Sequence, residues 1–188
     1  MEIKDCIKIY DNALPLKILS NLIRYANAEQ SFGAATVGAN NVLNKDVRDV
    51  GALTLSAHSP SMTNVHWHNF LYHFFCQGIL KYDKDLNLFE PSSLKIRDIN
   101  LLKYEKSGHY GWHVDHFYEN PRTISCIFLL NNDYKGGQLC FKNVSDDGVQ
   151  EIEVQANRMI IWPSNFLFPH KVKPVTEGRR YSVVAWAC

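Results

Sequence analysis

From residue 94 onward the chain is a series of short segments rich in β-branched and aromatic residues, each closed by a turn signal. The segments are 94–104, 123–130, 138–142, 152–154, 158–162, 170–173 and 180–186. The breaks between them include Asn131-Asn132-Asp133, Lys135-Gly136-Gly137, Ser145-Asp146-Asp147-Gly148, Pro163-Ser164-Asn165 and Glu177-Gly178. Many short strands at even spacing cannot leave all their edges bare. A jelly-roll barrel of two sheets is the arrangement that manages them.

The first half reads differently. Residues 7–10 alternate as a short strand does. Either Asp11 or Asn12 can then cap a helix that uses Pro15 early. From residue 16 to about 28, Ile18, Leu19, Leu22, Ile23 and Ala26 fall on one helical stripe. Residues 31–47 carry no period and read as a loop; 49–56, with Val50, Leu53 and Leu55, reads as a strand. Thr63 or Asn64 opens a second helix to about residue 82, with Trp67, Phe70, Leu71, Phe74, Phe75 and Ile79 as its buried face. Residues 83–91 are a polar connection. Helices first and strands after predict an α+β, mainly β fold, a cupin-like jelly roll with the amino-terminal helices packed on one sheet. The expected organisation is one domain over 1–188, with 1–91 as a helical support region and 92–188 as the jelly-roll core holding the site.

Composition narrows the function. The 188 residues are 46% hydrophobic, enough for a sizeable core, and the net charge of +1 gives no global footprint for nucleic acid or an anionic membrane. The five cysteines show no C-x-x-C spacing and read as reduced thiols in a cytoplasmic protein, with Cys126 and Cys140 in the core. The first residues lack a basic segment followed by an apolar stretch, so no signal peptide is read. No apolar run is long enough to span a bilayer.

The chemistry concentrates around His113-Val114-Asp115. In extended backbone, side chains two apart share a face, so an imidazole and a carboxylate project together. Alone the triplet is weak, because there are eight histidines and 19 acidic residues to make chance matches. The obvious third donor is His170. Two imidazoles and one carboxylate suit Fe, Mn, Zn, Co or Ni, and in a facial arrangement leave open positions for oxygen chemistry. Ten residues after His170 comes Arg180-Tyr181-Ser182. Arg180 and Ser182 share a strand face and offer a guanidinium fork plus a hydroxyl to a carboxylate. Arg179, the rival, faces the other way and reads as a solvated charge. His66 and His73, one heptad apart, are helix-packing or surface residues. His109 and His116 are spare imidazoles near the triad.

The compound order His113-x-Asp115, His170, Arg180-x-Ser182 resembles the iron(II)- and 2-oxoglutarate-dependent dioxygenases, and within them the prolyl-hydroxylase-like branch. Supporting pieces are Tyr104-(x3)-Gly108-(x4)-His113, Leu130-Asn131-(x2)-Tyr134-x-Gly136-Gly137-x-Leu139-x-Phe141, and Pro174-Val175-(x2)-Gly178 leading into Arg180. The resemblance covers roughly residues 94–188. It implies a double-stranded β-helix with amino-terminal helices outside. It implies His113, Asp115 and His170 as metal ligands at the catalytic centre, and Arg180, Ser182 and Tyr104 as cosubstrate-binding residues. Tyr104 has a second reading as a buried core tyrosine. The cofactors implied are Fe(II), 2-oxoglutarate, O2 and ascorbate, and the reaction is hydroxylation of a prolyl residue in a peptide, with release of succinate and CO2. Retention of Asp115 favours hydroxylation over halogenation. Leu129 departs from the pattern, since some members carry there a tyrosine that bonds the cosubstrate's distal carboxylate. Tyr110, Trp112, Phe117 and Tyr118 are expected around the metal ligands, facing substrate or packing the core.

The competing readings are an oxygenase of the same class acting on a free amino acid, another small molecule or alkylated nucleic acid, a non-catalytic cupin-like metal-binding module, and a zinc hydrolase. The nucleic-acid demethylase branch lacks its marks here, since Leu102-Lys103 precedes Tyr104 and Trp186 stands where that branch has a second arginine. The loop at 31–47 and the hairpin near 143–151 are expected to shape the entrance.

Overall fold

The computed structural model describes residues 2–38, 42–87, 95–143 and 148–188. A short 3-10 turn at Ile3–Cys6 precedes β1 (Lys8–Asp11) and helix α1 (Leu16–Ala28). Then come β2 (Gly33–Ala34), β3 (Arg48–Asp49), β4 (Gly51–Leu55) and the long helix α2 (Met62–Leu86). The second half runs β5 (Ile96–Tyr104), β6 (His109–His113), β7 (Ile124–Leu129), β8 (Lys135–Gly136), β9 (Leu139–Lys142), β10 (Val149–Glu151), β11 (Arg158–Pro163), β12 (His170–Val172), β13 (Val175–Glu177) and β14 (Arg180–Ala187).

The strands form a seven-stranded sheet ordered β1-β11-β7-β14-β5-β4-β2, a five-stranded sheet ordered β10-β9-β12-β6-β3, and the small pair β13-β8. Every pairing is antiparallel. The amino-terminal 91 residues supply two helices and also β1 to β4, which occupy both edges of the large sheet and one edge of the small one.

Strand alternation divides the interior into two cores. On the outer face of the large sheet, Leu101, Phe128, Ile161 and Val183 pack with Leu22, Trp67, Leu71, Phe75 and Ile79 of the helices. On the inner face, Leu102, Tyr104, Ile127, Leu129, Ile160 and Trp162 pack with Leu139, Phe141 and Val172 of the small sheet. The predicted double-stranded β-helix with helices on one sheet is what forms. α2 lies close over β11: a Cβ on Gly78 would stand 2.7 Å from the Met159 terminal methyl.

Several boundaries differ from the sequence reading. α1 is capped by the backbone of Pro15 with no side-chain cap. Asn12 takes a left-handed turn (φ 53°), and Asp11 pairs with Arg158 on β11. Ser61, not Thr63 or Asn64, caps α2, accepting from the Asn64 amide. The Asn64 side chain instead ties the helix start to β4, accepting from Ser56 N at 2.8 Å and donating to Thr54 O at 3.1 Å. α2 continues past residue 82 to Leu86, so Asp83 lies in the helix and is buried; residues 88–94 of the expected connection and first strand lie outside the described residues. The expected strand at 49–56 breaks at buried Val50 into β3 of the small sheet and β4 of the large one. The strand expected at 152–154 lies instead at Val149–Glu151, while buried Ile152 follows it and donates its amide to Leu139 O. Lys135-Gly136 and Val175–Glu177, within turn signals or unassigned, form the pair β8-β13.

Candidate functional site

The centre of the site is a cross-strand pair. His170 on β12 stands opposite His113 at the end of β6, and Asp115 follows two residues on. Their ligand atoms all lie within 4.8 Å of one another. His113 Nε2 is 3.6 Å from Asp115 Oδ1, and His170 Nε2 is 3.5 Å from Asp115 Oδ2. Those spacings approach the ~3 Å edge expected between neighbouring ligands on an ion with ~2.1 Å bonds.

Each imidazole is oriented by its other nitrogen. His113 Nδ1 is 2.9 Å from Gly111 O, and His170 Nδ1 is 3.1 Å from Phe168 O. A carbonyl only accepts, so both Nδ1 atoms carry a proton, and it is the two Nε2 atoms that face the carboxylate and are placed to bind an ion. Rings brace them: Tyr110 stacks on His113 at 3.5 Å, and Trp162 meets His170 edge-on at 5.0 Å. Ser125 Oγ donates to Asp115 Oδ2 at 2.7 Å and is itself hydrogen-bonded to Ser164 Oγ.

The protonation states suit metal binding. Burial alone would push the Asp115 carboxyl up, but the His170 and His113 imidazoles and the Ser125 hydroxyl outweigh it and hold it well below the carboxylate range. Burial, and then the His113 imidazole, push His170 down to about 4. An ionised carboxylate facing a neutral imidazole is the form that ligates.

Arg180, paired across the sheet with cavity-lining Tyr104, is fully buried at 0% exposure. Its Nη1 donates to Ser182 Oγ at 2.9 Å, and its guanidinium carbon sits 4.7 Å over the Tyr104 ring. Tyr104 is its cross-strand partner on β5. Among the described residues, Nε and Nη2 of Arg180 have no partner. A buried guanidinium with two unused donors is what a site for an absent anion looks like. Gly137 makes room for it: at φ 67°, a Cβ there would stand 3.0 Å from Arg180 Cδ and 3.1 Å from the Tyr134 ring. Arg179 points to the opposite face and pairs with Glu105 at 2.9 Å.

A cavity of about 600 Å³ opens from the triad. Tyr104, Trp162 and Trp186 line it together with the charged and polar Arg48, Asp98, Asn100 and Arg122. Arg48 stacks on Tyr110 (4.5 Å) and Arg122 on Trp186 (3.7 Å), and each has a buried Nε without a partner. The aromatic surround is not the one expected. Tyr110 and Phe117 line the cavity, but Tyr118 is 95% exposed and Trp112 is half-exposed under Lys171 Nζ. His109 bonds Ser107 O and Asp46 O, and His116 bonds Arg122 O, so neither joins the triad.

Ser125, Ser164, Trp162, Arg48 and Arg122 carried no assigned role in the sequence. Ser125 had one readable mark: it is a lone hydroxyl inside the apolar run 124–130, and a buried hydroxyl needs a partner. The arginines had none, because only folding stacks them on aromatic rings.

Residues 99–188 match the model of the 2OG-Fe(II) oxygenase superfamily. A PKHD-type hydroxylase of a Janthinobacterium species is 30% identical over 171 residues, which cover 85% of this chain and 67% of that protein. A PKHD-type hydroxylase of Rippkaea orientalis is 29% identical over 120 residues, 58% of this chain; the match spans only 52% of that relative's length. A prolyl hydroxylase of Trichoplax adhaerens, solved in complex with a hypoxia-inducible-factor peptide fragment, superposes with a TM-score of 0.73 at 19% identity, covering 97% of this chain and 83% of that one.

Proposed function

The chain belongs to the 2OG-Fe(II) oxygenase superfamily, and from that premise we propose that it is a dioxygenase hydroxylating a prolyl residue in a peptide or protein. Among its own groups, His113, Asp115 and His170 would hold Fe(II), and Arg180, with Ser182 and Tyr104, the distal carboxylate of 2-oxoglutarate. When bound, iron and 2-oxoglutarate supply an oxidant that places one atom of O2 in a substrate C–H bond as the oxo acid becomes succinate and CO2. The observation that carries this reading is Arg180: a facial triad serves many reactions, but a fully buried guanidinium packed over cavity-lining Tyr104, with two nitrogens that find no partner among the described residues, suits a dicarboxylate cosubstrate.

The rest of the chain orients and excludes. Ser125 fixes the Asp115 carboxylate, and the Gly111 and Phe168 carbonyls fix the two imidazoles. Phe141, Trp162 and Val172 keep water from the inner cavity. Tyr110, Phe117 and Trp186 add aromatic surface to its wall, which suits an apolar pyrrolidine. The peptide complex of the Trichoplax adhaerens neighbour supports a peptide as substrate. A free amino acid is the second reading, favoured by the charged groups Arg48, Asp98 and Arg122 in the wall. Ascorbate as reductant and a cytoplasmic location belong to the same proposal.

Purified protein with Fe(II), ascorbate and 2-oxoglutarate should release succinate, faster with prolyl peptides, and those peptides should gain one oxygen by mass spectrometry. Methylated single-stranded DNA should stay unchanged. Succinate release coupled to DNA demethylation instead would overturn the prolyl reading, and no succinate under any condition would overturn the enzyme class.

A further inference from the structure

The large sheet gives Arg180 little help. Its cross-strand neighbour on β5 is Tyr104, whose ring lies under the guanidinium. Across from Ser182, β7 offers Leu129, which has no polar atom to give. Ser182 Oγ already accepts from Arg180. Trp162 lies against His170, on the metal side.

One more group converges. Tyr134, from the stretch that leads into β8, is buried at 8% exposure and packs in the inner core with Tyr104, Leu129 and Val175. Its hydroxyl is fully buried within reach of the Arg180 guanidinium, which can only donate, and among the described residues nothing accepts the phenolic proton. A Cβ at Gly137 would crowd both the Tyr134 ring, at 3.1 Å, and the Arg180 stem, at 3.0 Å, so both side chains come close to that glycine. A buried phenol without a partner is costly unless something absent from the chain completes it. The same holds for Arg180 Nε and Nη2. Three unused donors on adjacent side chains match a carboxylate, which accepts and does not donate.

We propose that the Tyr134 hydroxyl is a further donor to the distal carboxylate of 2-oxoglutarate, beside Arg180, Ser182 and Tyr104, on the side where β7 offers only Leu129. This rests on the cosubstrate reading above. Tyr134 would then set which 2-oxo acid the enzyme accepts, while the triad and its chelate stay indifferent to it.

The test uses Mn(II)-loaded protein without oxygen, titrated with 2-oxoglutarate and with 2-oxobutyrate, which keeps the chelating end and lacks the distal carboxylate. Tyr134→Phe removes only the phenolic oxygen, so its melting temperature should hold or rise. Its affinity for 2-oxoglutarate should fall roughly tenfold or more, as for a lost hydrogen bond to a charged group. Its affinity for 2-oxobutyrate should match wild type. Unchanged 2-oxoglutarate affinity, or an equal loss for both acids, overturns the role of Tyr134 and leaves Arg180 standing. Wild-type protein that binds the two acids equally overturns the Arg180 reading itself, and this proposal with it.

Discussion

Along β14, Tyr181, Val183, Ala185 and Ala187 face the helices, and Arg180, Ser182, Val184 and Trp186 face the space between the sheets. The same split runs through β7, where Phe128 packs on α2 residue Phe74 and Ser125 reaches Asp115. The two faces share a backbone and differ in what they leave undone. The helix-facing side is a dense apolar layer of Leu, Ile, Phe and Val, filled to contact at Gly78. Among the described residues, the inner side keeps Arg180, Tyr134 and Trp162 with buried polar atoms whose hydrogen bonding is incomplete. Groups of that kind lower stability unless a ligand satisfies them. The outer face therefore carries the stability of the sheet, and the inner face gives some of it up for binding.

The sharpest break of this contrast is Asp115→Ala. It should abolish succinate release and Fe(II) binding, while the metal-free protein melts within about 4 °C of wild type, the shift expected for about 1 kcal/mol in a chain of this size. Retained turnover would remove Asp115 from the metal site. Global unfolding would show that the inner face is structural after all.

Phe128→Ala is the counterpart on the same sheet. The side chain is 0% exposed and meets Phe74 at 4.9 Å. Its loss should cost about 3–5 kcal/mol by denaturant titration. Where the variant is still folded, the KM for 2-oxoglutarate should be unchanged. A shift in that KM would mean that the outer layer tunes the site through the sheet.

Arg180→Ala against Arg179→Ala separates the faces at one peptide bond. Losing a charge-assisted fork should raise the KM for 2-oxoglutarate roughly a hundredfold at Arg180. At Arg179, whose partner is half-exposed Glu105, the change should stay within about threefold, as for a surface pair. Equal effects, or a worse Arg179 variant, would put the cosubstrate on the other face.

This face logic is also why much of the molecule was legible beforehand. Strands that bury both sides, such as β7 and β14, announce themselves as apolar runs, and the polar exceptions in them, Ser125, Arg180 and Ser182, stand out. The triad was legible because His113 and Asp115 are two apart and His170 has a compound spacing to Arg180. What failed to show was geometry without an apolar signal. β10, Val149–Glu151, is an edge strand with no buried residue, so the buried Ile152 beyond it drew the assignment instead. The switch of sheets at Val50 leaves no break in the apolar pattern of 50–55. Trp112 and Tyr118 sat near the ligands in sequence and turned outward: Trp112 neighbours His113 on β6 and so faces the other side of the sheet, and Tyr118 lies in the loop beyond β6.

The smallest expected effect lies at the rim of the large sheet, away from both layers. Arg158 donates to Asp11 from Nε at 2.6 Å and from Nη2 at 2.9 Å, closing the β1–β11 edge. The Arg158 hydrogen bond holds the Asp11 carboxyl below its usual range. A carboxyl depressed in the folded state binds fewer protons there than in the unfolded chain, so its stabilisation is present above the unfolded value of about 3.9 and is lost as pH falls through the folded value. Asp11 is 38% exposed, so screening should keep the gain under about 1 kcal/mol. Urea midpoints of wild type and Asp11→Asn should therefore differ slightly and constantly at neutral pH and converge in acid. Divergence on acidification would reverse the sign of the assignment. A difference far above that size would make this edge, and not the helix-packed layer alone, a main support of the sheet.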